Sequence, residues 1–303
     1  MNLSGKTAFI TGAARGIGAE VARLLASRGV RVALAGLEPE LLAAVANELG
    51  PAHVWSECDV TDDASLAFAV AKAVDALGGI DIVVANAGIA AHGTIAVTPM
   101  AAMRRVVDVN LTGVIGTVSA TLPHVVARRG YYLLVSSAAS LAATPGFAVY
   151  SATKSGVEQF GNGLRLELAH QGVDVGTAHP CWIDTDMVRD ARNELASFRI
   201  LLRSLPGPFG TVTSVEACAL GLVEGIERRK RKVFVPKSLA PFAALRQLIM
   251  SPLGEIFLRR NAKKVVPKLE AEVRAMGRVF GEHSVERDRG PGPGARLGAG
   301  PKV

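Results

Sequence analysis

The chain has 303 residues, of which 49% are hydrophobic and 20% are charged, and its formal net charge at pH 7 is +7. This size and composition provide for one large core or two smaller ones, and no uninterrupted apolar run is long enough to span a bilayer. The three cysteines (Cys58, Cys181 and Cys218) lack C-x-x-C spacing and the six histidines lack metal-ligand spacing, so we expect neither a disulfide framework nor a structural metal.

Short apolar runs rich in β-formers alternate with helix-length segments through residues 1–236. Several runs are apolar almost throughout, as expected for strands buried on both faces of a parallel sheet. The segment 39–50 has Pro39 near its start and Gly50 at its end, which is typical helix punctuation. The alternation predicts a doubly wound α/β fold, a parallel sheet of about seven strands with helices on both sides. The predicted strands are 7–11, 30–35, 53–55, 80–85, 131–136, 173–178 and 232–235, and the first two predicted helices are 18–29 and 39–50.

The N-terminal segment gives no sign of export. The stretch "MNLSGKTAFITG" passes at once into an apolar strand, without the charged region, apolar segment and cleavage site of a signal peptide. Cysteines that are unpaired and reduced are also typical of cytoplasmic proteins. We therefore expect a cytoplasmic protein.

A glycine-rich turn, "TGAARGIG" (11–18), follows the first predicted strand and opens the first helix. Its spacing, G-x-x-x-G-x-G, differs from the usual G-x-G-x-x-G pattern, but the physical basis is the same. Glycines permit a tight turn and close approach of the backbone, and the helix N-terminus offers free N–H groups to a pyrophosphate. The turn between strand and helix predicts a dinucleotide site.

Tyr150 and Lys154 lie four residues apart in "YSATK", with small residues between them. On a helix, this spacing places both side chains on one face. A nearby ammonium favours phenolate and lowers the pKa of a tyrosine, which makes the phenol a usable acid or base near neutral pH. On spacing alone, an ordinary surface helix turn is the alternative.

The amino-acid composition and the pattern of the sequence change after Pro236. Residues 237–283 predict a basic extension of two or three amphipathic helices, interrupted at Pro252 and Pro267, and the Gly- and Pro-rich stretch 284–303 predicts disorder. From Ile226 onward there are 18 Lys and Arg against 7 Asp and Glu, whereas the preceding residues have 16 against 20. The extension could cover the active site or a partner subunit, or rest on an anionic membrane surface; no nucleic-acid module accompanies it.

The order and spacing of seven motifs resemble those of the short-chain dehydrogenases/reductases, over residues 1–236. The motifs are "TGAARGIG" (11–18), "CDV" (58–60), "NAG" (86–88), "VNLTG" (109–113), "SSAAS" (136–140), "YSATK" (150–154) and "HPCWIDTDM" (179–187). This resemblance implies a Rossmann-type dinucleotide-binding and catalytic domain at 1–236, with a substrate lid at about 186–211. One departure is Cys181, which stands where the family usually has glycine after the proline and should narrow the space near the nicotinamide.

The resemblance also implies which residues bind the nicotinamide cofactor. Asp59 would hydrogen-bond the adenine amino group, and Ile183 and Thr185 would hold the nicotinamide carboxamide. The full implied set is Gly12, Arg15, Gly16, Ile17, Gly18, Glu38, Asp59, Val60, Asn86, Ala87, Gly88, Tyr150, Lys154, Pro180, Ile183 and Thr185.

The choice between NAD and NADP depends on the end of the second strand, "ALAGLEPE". NAD enzymes usually place Asp or Glu there and NADP enzymes place Arg nearby. Here Gly36 takes the usual acidic position, Leu37 follows, and Glu38 comes two residues late. Arg15 could contact a 2′-phosphate, but it also occurs in NAD-using relatives. Leu37 and Glu38 disfavour a dianionic phosphate, so the sequence favours NAD, with NADP as the alternative.

The catalytic set implied by the resemblance is Asn110, Ser137, Tyr150 and Lys154. Tyr150 would be the general acid/base, Lys154 would lower its pKa and hold the ribose, and Ser137 would orient the substrate oxygen. Asn110 would hold a water linking Lys154 to solvent, although it could instead merely cap a helix turn. Supporting or structural roles are expected for Ser136, Ser140, His92 and His179.

These features predict a nicotinamide-dependent oxidoreductase acting on a secondary alcohol or ketone. The apolar lid suggests a rather apolar substrate. The alternatives are an NADP-dependent biosynthetic carbonyl reductase and a non-catalytic cofactor-binding sensor or scaffold. Family relatives usually pair through the helices that here contain residues 101–128 and 151–170, so a homodimer or homotetramer is expected.

Overall fold

The computed structural model describes residues 1–282, so the predicted tail at 284–303 lies outside the described residues. The strands are β1 (Thr7–Thr11), β2 (Arg31–Gly36), β3 (Val54–Glu57), β4 (Ile82–Ala85), β5 (Tyr131–Val135), β6 (Asp174–Pro180), β7 (Trp182–Ile183), β8 (Val212–Thr213) and β9 (Lys232–Val235). The α-helices are α1 (Gly16–Ser27), α2 (Pro39–Leu49), α3 (Asp63–Leu77), α4 (Met100–Val107), α5 (Gly113–Ala127), α6 (Ala148–Leu168), α7 (Asp186–Glu194), α8 (Ala196–Ser204), α9 (Val215–Glu227), α10 (Ala240–Ala244), α11 (Arg246–Ile249) and α12 (Pro252–Met276).

Seven strands form one parallel sheet in the order β3-β2-β1-β4-β5-β6-β9. The strand order reverses between β1 and β4, where the chain moves from one half of the sheet to the other. In open α/β sheets, ligands bind outside the carboxyl ends of the strands at such a switch point. The predicted doubly wound fold is confirmed.

Alternate residues of each strand enter opposite faces of the sheet, and helices cover both faces. On one face, Ile10, Leu34 and Leu133 share an apolar core with the inner residues of α1 and α9. On the other face, Phe9 and Leu134 share a core with the inner residues of α3, α5 and α6. Burial on both sides explains why the strands are apolar almost throughout.

The long helical stretch 100–127 is apolar and long enough to cross a membrane by length and composition alone. However, 44% of its most apolar window is buried inside the protein, and Val114 and Val118 pack into the core shared with α3. Core helices of α/β proteins have this composition. The stretch comprises α4, a π-helical turn (Asp108–Thr112) and α5.

The extension packs against the segment predicted as the substrate lid, at about 186–211, which is called the lid below. Val265, Leu269 and Val273 of α12 form a third apolar cluster with Phe198 and Leu201 of α8. The Glu272 carboxylate also accepts hydrogen bonds from the backbone N–H and hydroxyl of Ser197, at 3.1 and 2.6 Å. The predicted C-terminal helical extension is confirmed.

The predicted helix interruption at Pro267 is wrong. Pro252 begins α12, as expected, but Pro267 lies within that helix. Proline removes one backbone hydrogen bond and is unfavourable inside a helix. Here the apolar contacts of Val265 and Leu269, on either side of the proline, hold both halves against the lid. Tertiary packing therefore overrides the local preference.

Candidate active site

A cleft of about 490 Å³ opens at the carboxyl ends of β1, β2, β4, β5 and β6. Its volume lies within the usual range of small-molecule sites. Every residue predicted for cofactor binding or catalysis lines this cleft except Gly18 and Asn110, which lie behind its wall. The fold thus brings together residues that are up to 173 positions apart, from Gly12 to Thr185.

The glycine turn is fastened to the end of β4. Gly12 has a φ of +63°, and a Cβ atom there would lie 2.9 Å from the Ala87 Cα atom. The Asn86 side-chain amide donates to the carbonyls of Thr11 and Gly12, each at 3.1 Å. The Asn86 amide group thus holds the turn, while the open N-terminus of α1 begins at Gly16 beside the cleft.

Arg15 bridges two carboxylates across the cleft. Its guanidinium lies 2.9 Å from Glu38, at the end of β2, and 2.8 Å from Asp186, at the start of the lid. Both Glu38 and Asp186 line the cleft, so the positive charge of Arg15 is balanced by two carboxylates there.

Asp59 is held in place by Arg105, a residue that the sequence analysis missed. The Asp59 carboxylate accepts hydrogen bonds from the backbone N–H and hydroxyl of Thr61, at 2.9 and 2.7 Å, and lies 3.4 Å from the Arg105 guanidinium. Burial raises the pKa of Asp59, but these hydrogen bonds and Arg105 outweigh it, so the pKa is lowered. Arg105 also lines the cleft. No motif marks it, because it lies in a helix far from Asp59 in the chain.

Tyr150 and Lys154 share one face of α6, as their spacing predicts. The Lys154 Nζ atom lies 5.7 Å from the centre of the Tyr150 ring and donates to the Val135 carbonyl at 2.9 Å. The Ser136 hydroxyl donates to the Lys154 carbonyl at 2.7 Å, which ties the end of β5 to α6. The lysine is therefore held at the base of the cleft between strand and helix.

The pKa values at this point differ from the simple expectation. Burial lowers the pKa of Lys154 to about 8. Burial also raises the pKa of Tyr150, and a hydrogen bond with Ser137 acts in the opposite direction without cancelling it. The expected lowering of the phenol pKa is therefore not found in this arrangement, because desolvation disfavours both charged forms.

Asn110 lies in the π-helical turn and is fully buried. Its side-chain carbonyl accepts from the Ile89 N–H at 2.8 Å, and its amide donates to the Ile89 carbonyl at 2.9 Å. Both side-chain groups thus hold the segment that follows β4. Single π-turns inside helices are frequent at functional sites, and the role of Asn110 in a proton relay stays a prediction.

A buried network of polar side chains contacts the backbone of Ser137. The Ser140 hydroxyl donates to the Ser137 carbonyl at 2.8 Å and lies 3.1 Å from His179 Nδ1. Burial lowers the pKa of His179 to about 4, so the imidazole is neutral. Glu158, one turn after Lys154, is buried and pairs with Lys232 at 2.6 Å and with Arg246 of the extension at 3.3 Å. Ser140 and His179 thus contact the Ser137 carbonyl, and the supporting roles expected for them stay predictions.

One part of the cleft wall is aromatic and centres on Phe147. The Phe147 ring lies 5.8 to 6.4 Å from the rings of His92, Tyr150, Trp182 and Phe198. Phe198 comes from the lid, so the lid forms part of the wall. The sequence analysis missed Phe147, although its position three residues before Tyr150 was a usable signal.

The Cys181 thiol and the extension complete the wall. Burial raises the pKa of Cys181 to about 11, so its sulfur is a neutral thiol near Tyr150. Five residues of the described extension line the cleft: Phe242, Ile249, Gly254, Leu258 and Phe280. This lining is mostly apolar, and the expected role of the extension in covering the active site stays a prediction.

The residues present fit a nicotinamide dinucleotide. A Cβ atom at Gly12 would lie 2.9 Å from the Ala87 Cα atom, just after β4, and one at Gly88 would lie 3.4 Å from the Lys154 Nζ atom. The absence of side chains at these two glycines therefore leaves space in the cleft. The N-terminus of α1 suits a pyrophosphate. Within residues 1–282, no three His, Cys, Asp or Glu side chains group together as a metal site would require.

Comparisons with known proteins agree with this geometry. A family model described as short chain dehydrogenase matches residues 6–196. An uncharacterized oxidoreductase of Myxococcus xanthus is 34% identical over 265 residues, which cover 85% of this chain and 98% of that protein. A 3-alpha-(or 20-beta)-hydroxysteroid dehydrogenase of Mycobacterium tuberculosis is 38% identical over 186 residues, covering 61% of this chain and 72% of that protein.

Two further matches differ in what they cover. A glycine betaine reductase of Emericella nidulans is 40% identical over 190 residues, but this match spans only 15% of that longer protein and 61% of this chain. A crystal structure of a short chain dehydrogenase/reductase from Burkholderia phymatum, in complex with NAD, superimposes with a TM-score of 0.73 at 24% identity, covering 82% of this chain and 95% of that one. At that identity, the likeness supports the fold.

Proposed function

Since this chain belongs to the short-chain dehydrogenase family, we propose that it transfers a hydride between a nicotinamide cofactor and a secondary alcohol or ketone. The observation that carries the proposal is the meeting of Ser137, Tyr150 and Lys154 in one cleft with the glycine turn. The nicotinamide supplies the hydride chemistry when bound and, in its oxidised form, a positive charge near the reacting groups.

The protein's own residues move the proton and orient the substrate. The Ser137 hydroxyl hydrogen-bonds the substrate oxygen, and the Tyr150 phenol takes the alcohol proton during oxidation or gives it during reduction. The Lys154 ammonium, held 5.7 Å from the phenol ring, stabilises the phenolate that oxidation requires. The aromatic wall around Phe147 excludes water from these groups.

The two directions of the reaction are expected to depend on pH with opposite sign. Oxidation requires a deprotonated Tyr150, so the kcat/KM of oxidation rises with pH. Reduction requires a protonated phenol, so the kcat/KM of reduction falls as the pH rises. Because burial raises the pKa of Tyr150, we expect both profiles to change on the alkaline side of neutral pH. Initial rates in both directions across pH 6 to 10 test this; parallel profiles would remove Tyr150 as the proton carrier.

We propose an apolar substrate, because aromatic and aliphatic side chains dominate the cleft wall around Phe147. For a series of secondary alcohols with growing aliphatic chains, kcat/KM should rise about fourfold for each buried methylene, until the cleft is filled. NADH formation measured by absorbance provides the test. The 38% identical relative named as a hydroxysteroid dehydrogenase supports this class. Equal or better use of small polar alcohols would contradict the proposal.

We propose NAD as the preferred cofactor. A 2′-phosphate would bring negative charge to Glu38, so we expect NAD to bind at least about tenfold more tightly than NADP, which corresponds to about 1.4 kcal/mol. Glu38→Gln should narrow this ratio, whereas Glu40→Gln, an exposed carboxylate two residues further on, should leave it unchanged. Titrations of both cofactors measure the ratios, and a wild-type preference for NADP would overturn the assignment.

Two alternatives make different predictions. An NADP-dependent carbonyl reductase would bind NADP more tightly than NAD in the titrations described above. A non-catalytic sensor or scaffold would bind the cofactor without turnover. The intact set of Asn110, Ser137, Tyr150 and Lys154 favours the enzyme.

We further propose a cytoplasmic homodimer or homotetramer that pairs through α5 and α6, whose Ile115 and Leu166 side chains are 41% and 77% exposed.

A further inference from the structure

We propose that the extension docks the protein on an anionic lipid bilayer, through an apolar patch and an adjoining basic face. This inference concerns the surface of the extension and does not depend on the proposed reaction. The apolar patch consists of Leu245, Leu248, Met250 and Ile256, and the basic face consists of Arg260, Lys263, Lys264 and Lys268.

The apolar patch is a local concentration of exposed large side chains. Leu245 is 54% exposed, Leu248 62%, Met250 47% and Ile256 49%, all within twelve residues of the chain. Single exposed apolar residues are normal on protein surfaces, whereas a contiguous group with a polar border marks an interaction site. The patch begins between two short helices, α10 and α11, and ends in the first turns of α12.

The basic face continues from the patch along α12. Arg260, Lys263, Lys264 and Lys268 are all exposed, and among the described residues no carboxylate lies within ion-pair distance of them. By contrast, Arg246 and Arg259 pair with Glu158 and Glu255. The opposite side of α12 is apolar and packs on the lid, so the basic face is fixed in orientation by the core contacts of Val265 and Leu269.

Charge selects the kind of partner. The described extension from Lys237 to Met276 has eight Lys and Arg against three Glu, so a second copy of this surface would repel the first. An anionic partner is complementary, and the exposed leucines require one with an apolar interior. A bilayer with acidic headgroups meets both conditions, because amphipathic helices insert their apolar side chains at the lipid boundary and hold headgroups with Lys and Arg.

The apolar patch also adjoins the substrate cleft through the chain. Phe242, Ile249 and Leu258 line the cleft from within, while their neighbours Leu245, Leu248 and Ile256 face outward. A single short segment thus separates the apolar interior of the cleft from the apolar patch. Docking would bring that segment to the lipid surface.

Co-sedimentation of the full chain with vesicles tests the proposal. We expect binding to vesicles of phosphatidylcholine mixed with phosphatidylserine, little binding to phosphatidylcholine alone, and a decrease with added salt. Leu248→Glu should weaken binding about tenfold or more. The double variant Lys263→Glu with Lys264→Glu should weaken binding about 25-fold, from about fivefold for each basic residue.

Matched controls separate docking from general surface effects. Phe68→Glu replaces an apolar side chain that is 66% exposed on α3, and Lys72→Glu reverses an exposed charge on the same helix. Both should bind the mixed vesicles like the unchanged protein, with all variants folded by circular dichroism. The proposal is overturned if the unchanged protein stays in the supernatant, or if the extension variants bind as well as the controls. It is equally overturned if Leu248→Glu alters the sedimentation mass in solution without altering vesicle binding, since the patch would then face a second copy.

Discussion

Replacing Tyr150 with phenylalanine is expected to lower kcat by about 10²- to 10⁴-fold, the usual contribution of a positioned general acid or base. The change removes one oxygen atom and keeps the ring that contacts Phe147 at 6.3 Å, so the wall of the cleft stays intact. Cofactor affinity should therefore change little, because the glycine turn, Asp59 and Lys154 remain in place. Steady-state rates and a separate cofactor titration measure the two effects independently.

Tyr132→Phe is the matched control for this substitution. The Tyr132 phenol is fully buried in the sheet, away from the cleft, and lies 3.0 Å from the Thr121 hydroxyl. Losing that hydrogen bond should lower the free energy of unfolding by about 0.5 to 1.5 kcal/mol without changing kcat. If Tyr150→Phe kept full turnover, or if both variants lost turnover equally, the phenol of Tyr150 would not be the proton carrier.

Gly18→Ala is expected to abolish measurable dinucleotide binding and to lower the free energy of unfolding by about 1 to 3 kcal/mol, as overpacking does. Gly18 lies in α1 with ordinary helical geometry, but a Cβ atom there would lie 2.2 Å from the Gly12 carbonyl oxygen and 2.7 Å from the Asn86 amide nitrogen. Both groups hold the glycine turn against β4. The turn must shift to admit one methyl group, which displaces the N–H groups that would face a pyrophosphate.

Gly163→Ala provides the comparison, since Gly163 also lies within a helix but has open space around the position of a Cβ atom. In that setting alanine should stabilise the helix by up to about 1 kcal/mol. Thermal or urea unfolding gives the stability of each variant, and fluorescence titration gives the cofactor affinity. Unchanged cofactor binding by Gly18→Ala would show that the turn tolerates the methyl group and that its close packing is unimportant for the ligand.

The candidate site was predictable where a local pattern carries the chemistry. The glycine turn and the Tyr150–Lys154 pair are short motifs within a strand–helix alternation, and each lies in the cleft. Arg105 could not be predicted, because it lies 46 positions from Asp59 in the chain and reaches it only through folding. The same holds for Arg246, which pairs with Glu158 across 88 positions.

The sequence by itself determined the α/β fold class, because apolar runs of strand length that alternate with amphipathic helices bury their surfaces as a parallel sheet covered by helices. The tertiary structure alone decided the electrostatics and the shape of the site. Burial at the base of the cleft sets the pKa of Lys154 at about 8 and raises that of Tyr150, against the expectation from their spacing. Packing on the lid carries α12 through Pro267 and brings the extension into the cleft wall. Desolvation and long-range packing depend on which distant residues surround a group, and no local pattern encodes those neighbours.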